Sequence, residues 1–298
     1  MKDENIHCSI GVMAFNEESN IGRLLDALLC QSLKQVVIDE IIVVSSGSTD
    51  GTDNIVREYE QKNNKIKLIV QENRQGKASA VNLFIKSAKN DILIIESADT
   101  IPAKNTVEKL ITPFRNEKIG MTGGRPMPVN SSDDLVSFAV RLLWKLHHEM
   151  AVFKPKLGEM VAFRRVFDAI PEQSAVDEAS IEALITHAGL DCLYVSDAVI
   201  HNKGAETIDD FIKQRKRIAI GHLWLKENHG YEVTSNNICL LFGLFIKECI
   251  TQPHNIWKII MTAKLEMYCR IVGFVEYRFH GDNPFIWDVC RTTKTIDN

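Results

Sequence analysis

Residues 41–52, Ile-Ile-Val-Val-Ser-Ser-Gly-Ser-Thr-Asp-Gly-Thr, pass in one step from four β-branched side chains to eight small or polar ones. An apolar run without alternation reads as a strand buried on both faces. The cluster after it reads as a turn opening a polar helix that ends near Asn63. The same cadence recurs on either side. Upstream, Ser9–Met13 is a short apolar run, and Asn16–Leu29 places Ile21, Leu24, Leu25, Leu28 and Leu29 on one helical face. Downstream, strand Ile66–Val70 precedes helix Ala78–Ala88, whose Ala80, Val81, Phe84 and Ala88 share a face, and strand Asp91–Ile95 breaks at Glu96–Pro102 (ESADTIP). Strands and helices alternating at this spacing predict an α/β fold with a mostly parallel, doubly wound sheet. Ligands of such sheets bind beyond the carboxyl ends of the strands, where the polar segments after Val44 and Ile95 lie.

From about 120 to 200 the pattern is less regular. Met121–Val129 (MTGGRPMPV) reads as loop and edge strand, Leu135–Val152 as helix, Val176–Ala188 as a helix opening with acids, and Leu193–Val199 as strand. Ile208–Leu225 is a basic helix, followed by apolar helical patterns carrying Trp257, Phe274, Tyr277, Phe285 and Trp287. At about 150 residues per domain the length suggests two units. The absence of a linker or repeat favours instead one catalytic unit, residues 1–225, with a helical C-terminal extension, residues 226–298.

Composition narrows the classes. With 45% hydrophobic and 25% charged residues among 298, the chain is neither disordered nor fibrous. Its 35 basic and 39 acidic residues give a formal net charge of -4, which removes the electrostatic footprint of a nucleic-acid binder. Seven cysteines, at 8, 30, 192, 239, 249, 269 and 290, form no CxxC pair and read as small hydrophobes in a reducing compartment. The N-terminus lacks the apolar core of a signal peptide. No stretch reaches the roughly 18 apolar residues of a spanning helix. The nearest, Ile238–Ile246, is closed by Lys247 and Glu248.

Five segments carry chemistry: Phe15-Asn16-Glu17-Glu18, Ser45–Thr52, Glu96–Thr100 (ESADT), Val176-Asp177-Glu178 and Gln214–Ile218 (QRKRI). In this order and with these gaps, the sequence resembles an inverting glycosyltransferase of family 2, of the cellulose- and hyaluronan-synthase-like branch, over about residues 8–225. The resemblance implies a Rossmann-like GT-A fold and transfer of a sugar from a nucleotide-diphosphate donor, UDP-linked in many members. It places Phe15, Asn16, Glu17, Ser46 and Asp50 at the base and ribose, although Ser45 and Ser46 stand where the family usually has two aspartates. Asp50 equally suits a cap or turn role for the following helix. Lys77, in Arg74-Gln75-Gly76-Lys77-Ala78, matches the family's glycine-lysine loop and would meet the diphosphate at a helix N-terminus; alternatively it is a solvated loop lysine.

ESADT stands at the Asp-x-Asp metal motif. Asp99 keeps the second aspartate, Ser97 replaces the first beside the donor, and strand alternation turns Glu96 away from Ser97. The implied cofactor is Mg²⁺ or Mn²⁺, a hard ion for carboxylate and diphosphate oxygens. His201, after strand Val195–Ile200, is the second expected ligand, or else a structural hydrogen-bonder. Asp177 and Glu178 occupy the place of the acidic pair that supplies the general base, in reversed order, with Glu178 at the base position by counting back from Gly189. Both also suit a helix's first turn. Gln214, Arg215 and Arg217 form the Q-x-x-R part of a motif near the diphosphate, where guanidinium pairs with phosphate. Ile218 replaces the stacking Trp, which weakens a processive role. A solvated basic face with Lys213 and Lys216 is the plain alternative. His147 and His148 fall in a helix with no partner evident.

The apolar runs at 238–250, Trp257–Ala263 and Ile271–Val275 suit either amphipathic helices in a membrane surface or a helical cap or homo-oligomer contact. The expectation is a cytoplasmic enzyme, peripheral at the inner face of the membrane on the first reading. It would use a nucleotide-diphosphate sugar and a glycan or lipid-linked acceptor, without nucleic acid. Two rivals stand beside it. A sugar nucleotidyltransferase would need a Gly-rich phosphate loop near residue 15, which is missing. A non-catalytic nucleotide-sugar-binding partner subunit would account for the missing aspartates at 45, 46 and 97.

Overall fold

A computed structural model describes residues 5–234, 238–281 and 283–286; Trp287 and Cys290, and the side chain of Cys239, lie outside the described residues. Eight strands form one mixed sheet: β1 (Ile6–Ala14), β2 (Val36–Ser46), β3 (Ile66–Gln71), β4 (Ile92–Ser97), β5 (Thr100–Pro102), β6 (Ile119–Pro128), β7 (Val161–Arg164) and β8 (Asp191–Asn202). Their order is β3-β2-β1-β4-β7-β6-β8-β5. The β3-β2-β1-β4 half is parallel, with β1 at its centre. β7 then runs antiparallel to both β4 and β6, and β8 lies parallel to β6.

Helices α1 (Ile21–Leu29), α2 (Thr52–Lys62), α3 (Lys77–Ser87), α4 (Thr106–Ile111), α5 (Leu135–Phe153) and α6 (Asp177–His187) flank the sheet. The period-2 pleat divides the core. Ile10 and Val12 of β1 face Leu24, Leu25 and Leu28 of α1 and Leu110 of α4 on one side. Met13, Ile42 and Ile95 face Val81 and Phe84 of α3 and Ile181 of α6 on the other. Ile21, Leu24, Leu25 and Leu28 of the stripe read in the sequence are therefore the buried face of α1, whereas Leu29 is 38% exposed, and the helix begins at Ile21, not at Asn16. Residues 15–20 are held in a turn by bonds to the loop after β2, and Asn16 sits at a positive φ of 54°.

Met121–Val129 also differs from its sequence reading. Met121–Gly123 is interior, hydrogen-bonded to β7 and to β8, whereas Arg125–Pro128 pairs with β8 alone. Gly123 and Gly124 serve close packing: a Cβ would lie 2.7 Å from Leu157 and 2.2 Å from Ile200 respectively. The prolines fall where the strand has outrun β7, so no ladder donor is lost on that side.

Helix α7 (Ile208–His229) runs unbroken through the 225/226 position, and α8 (Ile238–Thr251) and α9 (Ile256–Val275) follow. Leu244 and Ile259 of α8 and α9 pack on Phe138, Leu142 and Met150 of α5. Trp224 and Leu225 of α7 pack on Val176, Ala179 and Ala183 at α6. No described helix is long and apolar enough to cross a membrane.

At Gly11 of β1 a Cβ would stand 2.4 Å from the Phe84 ring. Gly11→Ala should destabilise the protein by about 2 kcal/mol, the usual cost of overpacking. In a denaturant titration Phe84→Leu should cost less in the Gly11→Ala background than alone.

Candidate active site

The carboxyl ends of β1, β2 and β4, the N-termini of α3 and α6, the loop before β7 and helices α7 to α9 enclose a cavity of about 1060 Å³. Of the residues expected from sequence, Phe15, Glu17, Ser46, Lys77, Ser97, Asp99, Asp177, Glu178, Gln214, Arg215 and Arg217 line it. Asn16, Asp50 and His201 do not.

The reason for Asn16 and Asp50 is physical. The loop after β1 and the loop after β2 must both turn away from the sheet, leaving their backbone N–H groups without ladder partners. They satisfy one another. Asn16 N–H donates to Ser48 Oγ (3.1 Å), Thr49 N–H to Asn16 Oδ1 (2.7 Å), Glu17 N–H to Thr52 Oγ1 (2.7 Å), and Gly51 N–H to Glu18 Oε2 (2.7 Å). Asp50 accepts from Glu18 N–H (3.1 Å) and from Thr52 N–H (3.0 Å), bonds that belong to the turn. The lacing presents Phe15, Glu17 and Ser46 inward. The Arg74 guanidinium lies 4.1 Å from the centroid of the Phe15 ring. His201 is turned away by strand alternation: its neighbour Asn202 lines the cavity, while His201 occupies the other face of β8.

Four carboxylates and one ammonium form the polar centre. Lys77, first residue of α3, donates to Glu178 Oε1 at 2.7 Å and lies 3.9 Å from Asp177 Oδ2. Burial opposes its charge, but Glu178 and then Asp177 raise its pKa on balance. Burial likewise opposes an ionised Glu178, yet Lys77 holds its carboxyl below the usual range. Asp177 is 1% exposed. Burial, joined by the Glu178 charge, pushes its carboxyl up despite Lys77 and Arg217. The two acids at the start of α6 are thus split, one ionised against Lys77 and one holding its proton more tightly.

Glu159, on the loop before β7 at φ 59°, is a cavity carboxylate that no sequence motif marks. It accepts from Asn202 Nδ2 at 3.2 Å. Burial, Asp99 and Glu178 together push its carboxyl up to about 7. Its only local signal is a preceding glycine, Gly158, before a β-run. Glu96 is buried away from the cavity as expected, accepting from Thr100 Oγ1 at 2.8 Å, and burial with the charges of Glu159 and Asp99 pushes it up to about 8.

The roof corrects two readings. The Arg215 guanidinium is engaged in a bidentate pair with Glu266 of α9, at 2.7 and 2.8 Å, rather than standing ready for a phosphate. His147 and His148 do have partners: His147 is edge-on to Trp144 with ring centroids 5.1 Å apart, and His148 Nδ1 lies 2.9 Å from the Tyr194 hydroxyl.

In metal-free protein Glu159 carries a pH-dependent cost. Between its ordinary value of 4.5 and about 7 the unfolded chain is ionised while the folded one keeps its proton, so stability falls as pH rises through this window. Glu159→Gln should therefore raise the unfolding free energy at pH 8 by up to about 3 kcal/mol. The gain should vanish near pH 4 in melts with chelator.

Comparison with known proteins agrees with this architecture. The poly-β-1,6-N-acetyl-D-glucosamine synthase of Staphylococcus aureus is 33% identical over 122 residues, 41% of this chain and 29% of that one. The match thus takes in less than a third of the relative's length. The Pyrobaculum calidifontis mannosyltransferase PcManGT, solved with GDP-Man and Mn²⁺, aligns over 93% of this chain and 81% of its own, at 18% identity and a TM-score of 0.61. The glucosyl-3-phosphoglycerate synthase of Mycobacterium tuberculosis, solved with Mn²⁺, UDP and glucosyl-3-phosphoglycerate, aligns over 76% of this chain and 80% of its own, at 20% identity and a TM-score of 0.54. At such identities the structural likeness is one of fold. A sequence model of glycosyl transferase family 2 matches residues 9–184, more than half of the chain, and the chain belongs to that family.

Proposed function

We propose that the chain is an inverting, metal-dependent glycosyltransferase that moves one sugar from a nucleotide-diphosphate donor to a glycan or lipid-linked acceptor. The observation that carries the reading is the polar centre itself. One cavity holds a cation at the start of α3, an acid pair at the start of α6, and Asp99 and Glu159 across from them.

Among the described residues, no three His, Cys, Asp or Glu side chains converge as a ready-made metal cage. That suits Mg²⁺ or Mn²⁺, which is commonly held by one or two carboxylates and completed by substrate phosphate oxygens. Asp99 would hold the ion with help from Glu159, whose repelled carboxyl a cation would favour in its ionised form. When bound, the ion would neutralise charge developing on the leaving diphosphate.

The base of the donor would lie against Phe15 and Arg74, with Glu17 and Ser46 at the ribose. UDP- and GDP-linked sugars are the first donors to test, since proteins of the same fold have been solved with UDP and with GDP-Man. Lys77, with Gln214 and Arg217, would face the diphosphate at the α3 N-terminus. Its engagement there would loosen its bond to Glu178 and free that carboxylate. Glu178, or Asp177 beside it, would take the proton of the acceptor hydroxyl as that oxygen attacks the anomeric carbon from the side opposite the diphosphate. The new C–O bond forms as the bond to the diphosphate oxygen breaks, and the nucleoside diphosphate leaves with the electron pair.

The exposed apolar side chains of α8 and α9, among them Phe242, Ile250 and Trp257, would be covered in this reading by a membrane surface or by a second copy of the chain.

Calorimetry with UDP, GDP and their sugars, with and without Mn²⁺, tests the donor site. One nucleotide class should bind in a Mn²⁺-dependent manner, and Asp99→Asn should abolish the dependence. Glu178→Gln should leave nucleotide affinity within a few-fold while lowering kcat by about 10²–10⁴, the usual contribution of a general base. Nucleotide binding without transfer to any acceptor would favour the non-catalytic partner subunit.

A further inference from the structure

The cavity is larger than its polar centre. Beyond the carboxylates it continues between α5, α8 and α9, where Leu143, Trp144, Leu241, Phe245, Ile259 and Met267 form the wall. Such a wall offers sugar hydroxyls almost no hydrogen-bonding partners, and suits a hydrocarbon chain.

Where this apolar arm meets the polar centre, three cations line the cavity together: Lys156 from the loop after α5, Arg215 from α7 and Arg270 from α9. One carboxylate, Glu266, serves both guanidiniums, at 2.7 and 2.8 Å from Arg215 and 2.9 Å from Arg270. Among the described residues no carboxylate lies within ion-pair distance of the Lys156 ammonium. Glu182, the other acid whose charge it feels, is engaged by the Tyr231 hydroxyl at 2.6 Å. His222 is buried in the same group, which lowers its basicity, so it adds no charge near neutrality.

We infer that the acceptor is an anionic amphiphile, its phosphate-like head held by Lys156 and Arg270 beside Arg215 and its hydrocarbon chain laid between α5, α8 and α9. This rests on the transferase reading of the polar centre and specifies the acceptor of that same site. The three cations outnumber the two acids near them, Glu266 and Glu182, in a partly buried position, and an anionic head would relieve their repulsion. Burial, with the charges of Arg215 and Arg270, pushes Lys156 down to about 7 against the pull of Glu266 and Glu182, and an anionic head beside it would favour its charged form. Phe242 and Met267 line the arm and are each 63% exposed, so the arm opens onto the apolar outer surface of α8 and α9, from which a chain can enter.

Calorimetry on the full chain tests this with decyl phosphate, decyl maltoside and inorganic phosphate, each titrated with the nucleotide and Mn²⁺ present. Decyl phosphate should bind at least about tenfold more tightly than the other two. Its affinity should rise about fourfold per added methylene across hexyl, octyl and decyl phosphates, the value of about 0.8 kcal/mol per buried CH₂. Lys156→Gln and Arg270→Gln should each weaken it about tenfold without changing nucleotide affinity, and Lys156→Arg should retain it. Equal binding of decyl maltoside, or unchanged binding in both Lys156→Gln and Arg270→Gln, would overturn the inference. Equal binding of inorganic phosphate would mean a plain anion site and overturn it too. The nucleotide titration in the same samples reports separately on the transferase reading.

Discussion

The ion pair between Lys77 and Glu178 joins two parts of the chain that fold from opposite ends of the sheet. Lys77 opens α3 in the parallel half, and Glu178 opens α6, which packs beside the antiparallel strands. Both side chains are largely shielded, at 14% and 19% exposed, so removing either partner leaves the other charge less well compensated. Two helix N-termini also converge on this point. Their partial positive charges favour the acid pair and would favour an incoming anion for the same reason. The pair therefore ties the start of α3 to the start of α6, and it holds together the two groups that the proposed reaction would separate.

The strand-end loops hold a motif whose residues serve geometry as much as contact. Asn16, Ser48, Asp50 and Thr52 spend their side-chain oxygens on backbone N–H groups of the facing loop. What reaches the cavity are the residues between them, Phe15, Glu17 and Ser46. The small, polar composition after β2 follows from this: only short side chains with an acceptor atom can reach a neighbouring loop's N–H groups within one residue's span.

The C-terminal helices divide the cavity's chemistry. The strand ends offer carboxylates and small polar groups, while α5, α8 and α9 offer hydrocarbon. Arg215 marks the border, a basic residue of α7 that the sequence motif assigns to phosphate and the fold ties to Glu266. A guanidinium already held in a planar fork by a carboxylate is fixed in orientation, and its remaining donors keep their direction.

The sequence by itself determined the α/β alternation, the buried faces of α1 and α3, the strand ends that carry the site, and the family. Those follow from local periodicity and from short motifs whose residues are near neighbours in the chain. It also pointed to Lys77, Asp99, Asp177 and Glu178 as cavity residues. Tertiary structure decided what depends on distant pairings. The register of β8 sends Asn202 inward and leaves His201 on the other face. The use of Asp50 in a turn depended on a loop 32 residues earlier in the chain. The glycines of β6 gave no hint that they fill a strand interior, because the close contacts requiring them come from Leu157 and Ile200. Glu159, Lys156 and Glu266 stand in no motif at all. Their importance comes from burial and the charges placed around them, which periodicity and spacing do not encode.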